Sequence, residues 1–472
     1  MAIKTVMSVP RQGPLPHQGL AVAGPTTNHH HLINNNDTKP ATRLPNETLG
    51  YIFLLCLDFT DRWGCPKDRK YLDSTDIRLF PWIFSYVCRR WRDACISYPK
   101  LWTFVALTSQ QFRRKGVDKL LDTQLKRSSQ HALHVRINLE NTWKGKDLKP
   151  PHPILPLLEQ SGPRWAFLQI DALPSALSVL SKALTRGQRP EALQTLIVNT
   201  FDRIGVTDIR TELMIPEFSL GENAPLLRSV SLGRYMQSLL VPLPWAQLTE
   251  YVDRTAANTA AQQLQNLERM TSLERAMISV PNGHLPTPAH PVHLHNLKSL
   301  AIYGQSEILA SLATPSLVHL QLDRTWNGDL LPEFFQRSQC SLEAIRFTFP
   351  PRFTDTDCMD LLSSMPDLTM WAVASFGGKS QLDIFSDRFF EKYLRGKLMP
   401  KLKRIRLEWC VNKTEKTWDE FQNRELKEKA EKRFEEMRGK LKQREGVLVE
   451  VFKGQGDMPP CIHPSWMRYR TR

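Results

Sequence analysis

A chain of 472 residues that is 41% hydrophobic and 24% charged carries enough apolar material for a sizeable core, and too much for a chain that stays unfolded. Its formal net charge of +15 favours acidic partners, nucleic acid or anionic surfaces without choosing among them. No apolar run reaches the roughly 18 residues that span a bilayer, the first twenty residues contain no continuous apolar stretch of a secretory leader, and the eight cysteines include no C-x-x-C pair. A membrane span, a zinc module and a disulfide framework are therefore not expected, and the chain is expected inside the cell, in cytoplasm or nucleus.

Residues 1–40 hold proline, glycine and runs of histidine and asparagine with no apolar period, which predicts a disordered N-terminal tail. Order is expected from residue 41. Pro45 suits the first turn of a helix, and Leu49, Ile52, Phe53 and Cys56 follow at i, i+3, i+4 and i+7, one apolar helical face. A polar insertion runs over about 58–78. Then Phe84, Val87, Cys88, Trp91 and Cys95 predict the apolar face of a single second helix, with Arg89, Arg90, Arg92 and Asp93 opposite and Pro99 as its end.

These residues carry a resemblance. Leu44-Pro45-x-Glu47-x-Leu49-x-x-Ile52-Phe53, Val87-Cys88-Arg89-Arg90-Trp91-Arg92 and Leu101-Trp102 stand in the order and register of an F-box, and residues 41–105 resemble the variety abundant in fungi, in which an insertion parts the first two helices. The insertion is about twenty residues longer than compact F-boxes carry, which leaves the path between the helices open. The resemblance implies docking on the Skp-type adaptor of a cullin-RING ubiquitin ligase, an SCF-type complex. It implies that Leu44, Pro45, Ile52, Val87, Cys88, Trp91 and Trp102 contribute to an apolar surface shared between F-box packing and adaptor binding.

Residues 106–190 begin with a linking helix (Val117, Leu120, Leu121, Leu125) and a half-buried strand of alternating Leu133, Val135, Ile137 and Leu139. Over 191–411 a phrase L-x-x-Φ-x-Φ, with Φ usually apolar, starts at Leu193, Leu227, Leu248, Leu273, Leu297, Leu317, Leu342, Leu368 and Leu402. Most of the intervals fall within the roughly 20 to 29 residues of a leucine-rich repeat. The phrase at Leu248 ends in Asp253 and fits worst. Helix-compatible returns such as "TAAQQLQNLERM", "SEILASLA", "LLPEFFQR" and "DCMDLLSSM" lie between the phrases. The expected fold is α/β: a small helical F-box, then a leucine-rich-repeat-like curved solenoid of strand–helix units. A conventional α/β domain is the alternative, because the asparagine ladder of leucine-rich repeats is missing and the intervals are irregular. Residues 412–472 predict a long capping helix with an apolar stripe from Trp418 to Leu441, a short strand "VLVEVF" and a basic tail.

Catalytic motifs are not found. "GGKS" at 377–380 lacks the first glycine of a phosphate-binding loop, where Val373 stands, and the histidines at 284, 290, 293 and 295 read as loop residues rather than metal ligands. No cofactor or metal is expected. The leading functional expectation is a non-catalytic substrate receptor whose solenoid binds a target protein. A repeat scaffold without a ligase and a basic nucleic-acid-binding protein are the alternatives. Residues between the leucine-type positions alternate onto the inner, concave side, so His319, Gln321, Asp323, Arg346, Arg404 and Arg406 are expected to face solvent there and bind an acidic or phosphorylated segment of the target.

Overall fold

The computed structural model describes residues 44–57, 73–139, 152–173, 189–200, 223–233, 241–254, 258–281, 290–322, 330–348, 354–375, 385–411 and 435–455, with a few isolated positions between them. The expected N-terminal tail, residues 58–72 of the insertion, the G-G-K-S stretch, Asp323 and most of the expected C-terminal helix lie outside the described residues. Residues up to Pro45 belong to one compact unit and Asn46–Arg472 to another, in which all the elements below lie.

Thirteen strands form one parallel sheet. They are β1 (Phe104–Thr108), β2 (Leu133–Asn138), β3 (Trp165–Ala172), β4 (Thr195–Thr200), β5 (Ser229–Leu232), β6 (Glu250–Asp253) and β7 (Arg275–Val280), followed by β8 (Ser299–Gly304), β9 (His319–Leu322), β10 (Ala344–Thr348), β11 (Met370–Ser375), β12 (Arg404–Val411) and β13 (Leu448–Gln455). Each strand pairs with its predecessor and successor in the chain, so spatial order is sequence order. Parallel neighbours require a return segment between them, and adding unit after unit to one edge is the architecture of an α/β solenoid.

The nine L-x-x-Φ-x-Φ phrases become β4 to β12, each strand starting two residues after the first leucine. That leucine is buried in every case. Its amide commonly closes a tight turn on the carbonyl three residues earlier, as in Leu248 to Trp245 (3.2 Å) and Leu317 to Thr314 (3.1 Å). The next amide joins the same position of the preceding repeat: Arg228 to Gln194, Thr249 to Arg228 and Glu274 to Thr249, each at 2.9 Å. A backbone ladder thus stitches the repeats at the strand entrances, and the leucine fills the space beneath each turn.

The alternating run at 133–139 and "VLVEVF" give β2 and β13. In β1 and β3 tryptophan replaces the first leucine of the phrase: Trp102-x-x-Val105-x-Leu107 and Trp165-x-x-Leu168-x-Ile170. Both tryptophans are fully buried.

Alternate strand residues, among them Ile137, Ile170, Leu300, Leu320, Ile345, Trp371 and Ile405, share one apolar core with residues of the return helices α4 (Val117–Arg127), α5 (Ile154–Ser161), α6 (Ala260–Arg269), α7 (Leu330–Ser338), α8 (Asp355–Ser363) and α9 (Asp387–Leu394). The helices α1 (Asn46–Leu57), α2 (Phe84–Val87) and α3 (Arg89–Ile96) precede the sheet in the chain. Capping boxes start α6, where Thr259 and Gln262 bond reciprocally, and α8, where Thr354 and Asp357 do. "SEILASLA" departs from expectation: Ser306–Ser311 is a 3-10 helix, followed by Leu312–Ala313 pairing with Val292–His293. A 3-10 turn rises about 2.0 Å per residue against about 1.5 Å for an α-helix, so it covers a short return with fewer residues.

Asp253, the misfit of the third phrase, occupies a core position at 0% exposure. Its carboxylate accepts hydrogen bonds from the Tyr251 hydroxyl (3.0 Å), Asn258 Nδ2 (2.6 Å) and Gln263 Nε2 (2.7 Å), which compensates its removal from water. At the far end Met437 and Leu441 enter the core and the Tyr393 hydroxyl donates to the Leu441 carbonyl at 3.1 Å. Arg444 donates to the carbonyls of Leu398, Met399 and Pro400 and lies over the Tyr393 ring. Residues 435–441 are the described end of the expected capping helix.

Candidate docking surface

The segment before the sheet holds α1 (Asn46–Leu57), α2 (Phe84–Val87) and α3 (Arg89–Ile96). Leu49 and Phe53, four residues apart on α1, are buried. The Phe53 ring stacks on Phe84 at 4.1 Å and tilts against Trp91 at 4.9 Å. Gly50 lies against Tyr98 so closely that a Cβ would sit 2.6 Å from the ring.

The single second helix expected over Phe84 to Cys95 is a correction: the chain breaks at Cys88, whose φ of −158° and ψ of 170° are extended. The Cys88 thiol caps α3 by accepting from the Trp91 amide at 3.4 Å. The break has a packing reason. It lets Phe84 enter the stack with Phe53 while α3 independently buries Ala94 and Cys95, the latter with its thiol pushed up to about 12 by desolvation. Val87 and Cys88, on the apolar face of the expected single helix, are exposed.

Large apolar side chains consequently point outward beside the aromatic stack. Tyr51, Ile52 and Leu55 on α1 are 56%, 39% and 55% exposed, and Ile83, Tyr86 and Val87 around α2 are 40%, 59% and 57% exposed. Of the eleven exposed large hydrophobic residues among the described residues, eight lie between 51 and 96. That concentration distinguishes the segment from ordinary surface, where apolar residues are scattered singly.

Of the seven residues expected at this surface, Ile52, Val87 and Cys88 are exposed in this segment and Trp91 is half-buried. Leu44 is half-buried and Pro45 exposed, both in the N-terminal unit. Trp102 is different: at 0% exposure it is interior, so it supports packing and is not offered to a partner. Tyr51, Leu55, Ile83 and Tyr86 were not anticipated. Their signal is the surplus of apolar residues over what one helical face can bury.

The helical segment is joined to the sheet through polar and aromatic contacts. Trp102 Nε1 donates to the Cys95 carbonyl (2.9 Å) and Trp82 Nε1 to that of Ser74 (2.7 Å), with the two rings edge-to-face at 4.9 Å. The Arg127 guanidinium, at the end of α4, lies 5.0 Å from the Trp82 ring and 4.5 Å from the Trp102 ring. Ser74, expected within the loose insertion, is buried, and its amide donates to Ala106 of β1 at 3.1 Å. The described end of the insertion thus covers the otherwise open edge of β1.

The sheet face opposite the core carries the residues expected to bind a target. His319, Arg404 and Arg406 are half-buried. Gln321 and Arg346 contradict the expectation of solvent exposure, at 1% and 7%. Gln321 donates to the Tyr303 hydroxyl at 2.7 Å, and small neighbours such as Ala301, Ala344 and Ala372 allow side chains on this face to close together. Desolvation lowers the pKa of His319, which favours the neutral ring. The six residues are not one exposed group.

No family model matches the chain, and no curated protein does. A solved structure, the crystal structure of a Rad7 and Elc1 complex in yeast, is similar over 64% of this chain and 69% of that chain, at 12% sequence identity and a TM-score of 0.33.

Proposed function

We propose that the chain is a non-catalytic substrate receptor of a cullin-based ubiquitin ligase, working in cytoplasm or nucleus. Residues 41–105 act as an F-box that docks on a Skp-type adaptor, and the leucine-rich-repeat-like solenoid binds the protein to be modified. The observation that carries this reading is the cluster of exposed apolar side chains on α1 and around α2, the segment whose L-P-x-E and V-C-R-R-W residues resemble an F-box. A receptor needs no reacting groups of its own. Holding target and ligase together raises their effective concentration, which is sufficient to direct transfer.

Co-expression with a Skp-type adaptor and size-exclusion chromatography tests the proposal. The wild-type chain is expected to co-elute with the adaptor, whereas Ile52→Asp combined with Val87→Glu is expected to elute alone at an unchanged melting temperature. A wild-type chain that elutes without adaptor contradicts the proposal.

A further inference from the structure

On the face opposite the core, the register places Arg346 of β10 beside Ala372 of β11, and Ala372 beside Arg406 of β12. Arg404 stands two residues before Arg406 on the same strand, beside Met370. Strands lie about 4.8 Å apart and residues i and i+2 of a strand about 6.8 Å apart. Three guanidinium-bearing positions therefore fall within about 12 Å of one another around a methyl side chain. Ala372 is only 1% exposed, while Arg404 and Arg406 keep part of their surface open to solvent. All three arginines also interact within the protein, yet a guanidinium has five N–H donors and can serve an internal and an external acceptor together. The acidic register neighbour is Glu450 of β13, opposite Arg406.

We infer that this part of the sheet binds an extended peptide segment bearing carboxylates at alternate positions, Asp/Glu-x-Asp/Glu, with Arg404 and Arg406 as its principal contacts. The assignment rests on the receptor reading above and names the chemistry of the target. The spacing supports it. Carboxylates at i and i+2 of an extended segment repeat at about 6.8 Å, the interval that separates Arg404 from Arg406, so a segment lying along β12 meets both guanidiniums in register. Arg346, nearly buried on the same face two strands away, adds positive potential from the side. Glu450 competes for Arg406 and limits affinity. His319, held neutral by burial, adds no charge.

The test uses the full-length chain and a fluorescein-labelled pool of random peptides with glutamate fixed at two alternate positions, read by fluorescence anisotropy. Matched pools carry glutamine or phosphoserine at those positions. The glutamate pool is expected to bind at least about tenfold tighter than the glutamine pool, with affinity falling as salt rises. Arg404→Gln with Arg406→Gln is expected to lose that advantage, whereas Glu450→Gln is expected to raise affinity about two- to fivefold, a gain that no structural role of these arginines would produce. Equal binding of the glutamate and glutamine pools overturns the inference, as does binding confined to phosphoserine or a Glu450→Gln chain that binds no tighter than wild type. Adaptor co-elution is measured on the same preparations. Loss of adaptor binding with peptide binding intact would overturn the receptor reading alone, and the converse would overturn the inference alone.

Discussion

Asp253 shows how a residue that breaks a pattern can be required by the fold. Replacing it with leucine would restore the L-x-x-Φ-x-Φ phrase, but the Tyr251 hydroxyl and the amides of Asn258 and Gln263 would lose their shared acceptor inside the core. Asp253→Leu is expected to destabilise the chain by about 3 kcal/mol or more, measured by chemical denaturation, despite improving the repeat. Gly304 is constrained more locally: its φ is +83°, and a Cβ would lie 2.1 Å from the Val280 carbonyl oxygen, whose lone pair already receives the Gln305 amide at 2.9 Å. Gly304→Ala is expected to cost about 2 kcal/mol or more in the same measurement. His319 gives a pH dependence. Burial holds its folded pKa below the ordinary 6.5, so between those values the unfolded chain binds more protons than the folded one. The stability this group contributes is complete above 6.5 and lost as pH falls through the folded value. His319→Gln is expected to flatten that part of the stability–pH curve, followed by thermal melts from neutral to mildly acidic pH.

At the level of elements, strands were easier to read than helix boundaries. A strand phrase of six residues that recurs nine times announces itself, and each instance formed a strand because every first leucine fills the same place in the core and most of them close the same turn. Tryptophan takes that place in β1 and β3, where Trp102 and Trp165 meet the same need for a bulky apolar plug. The helix over Phe84 to Cys95 had the right period and the wrong continuity, because periodicity reports which residues are apolar and not where tertiary packing breaks the chain. The consequence reaches the docking surface: the break at Cys88 turns Val87 outward instead of into the core. Val87→Glu is accordingly expected to leave the melting temperature within about 2 °C of wild type, as for a surface substitution, while abolishing adaptor co-elution. A single continuous helix would instead bury the charge and unfold the segment.

At the scale of the whole chain, the succession of parallel strands was legible because each unit repeats and pairs only with its neighbours. The functional face was less legible. Alternation named the side of the sheet on which His319, Gln321, Arg346, Arg404 and Arg406 stand, but their exposure depends on the size of side chains on neighbouring strands, which register brings together and sequence order does not. The joint between the helical segment and the sheet was invisible for the same reason, since Arg127, Trp82 and Trp102 meet across 45 residues of chain. The central claim is that the exposed apolar surface of α1 and α2 is where a Skp-type adaptor binds. Amide hydrogen exchange of the full-length chain with and without a saturating adaptor tests it most directly. Slowed exchange concentrated in residues 46–57 and 83–88, with the solenoid strands unchanged, is the predicted result; unchanged exchange in those residues in the presence of adaptor would contradict the account.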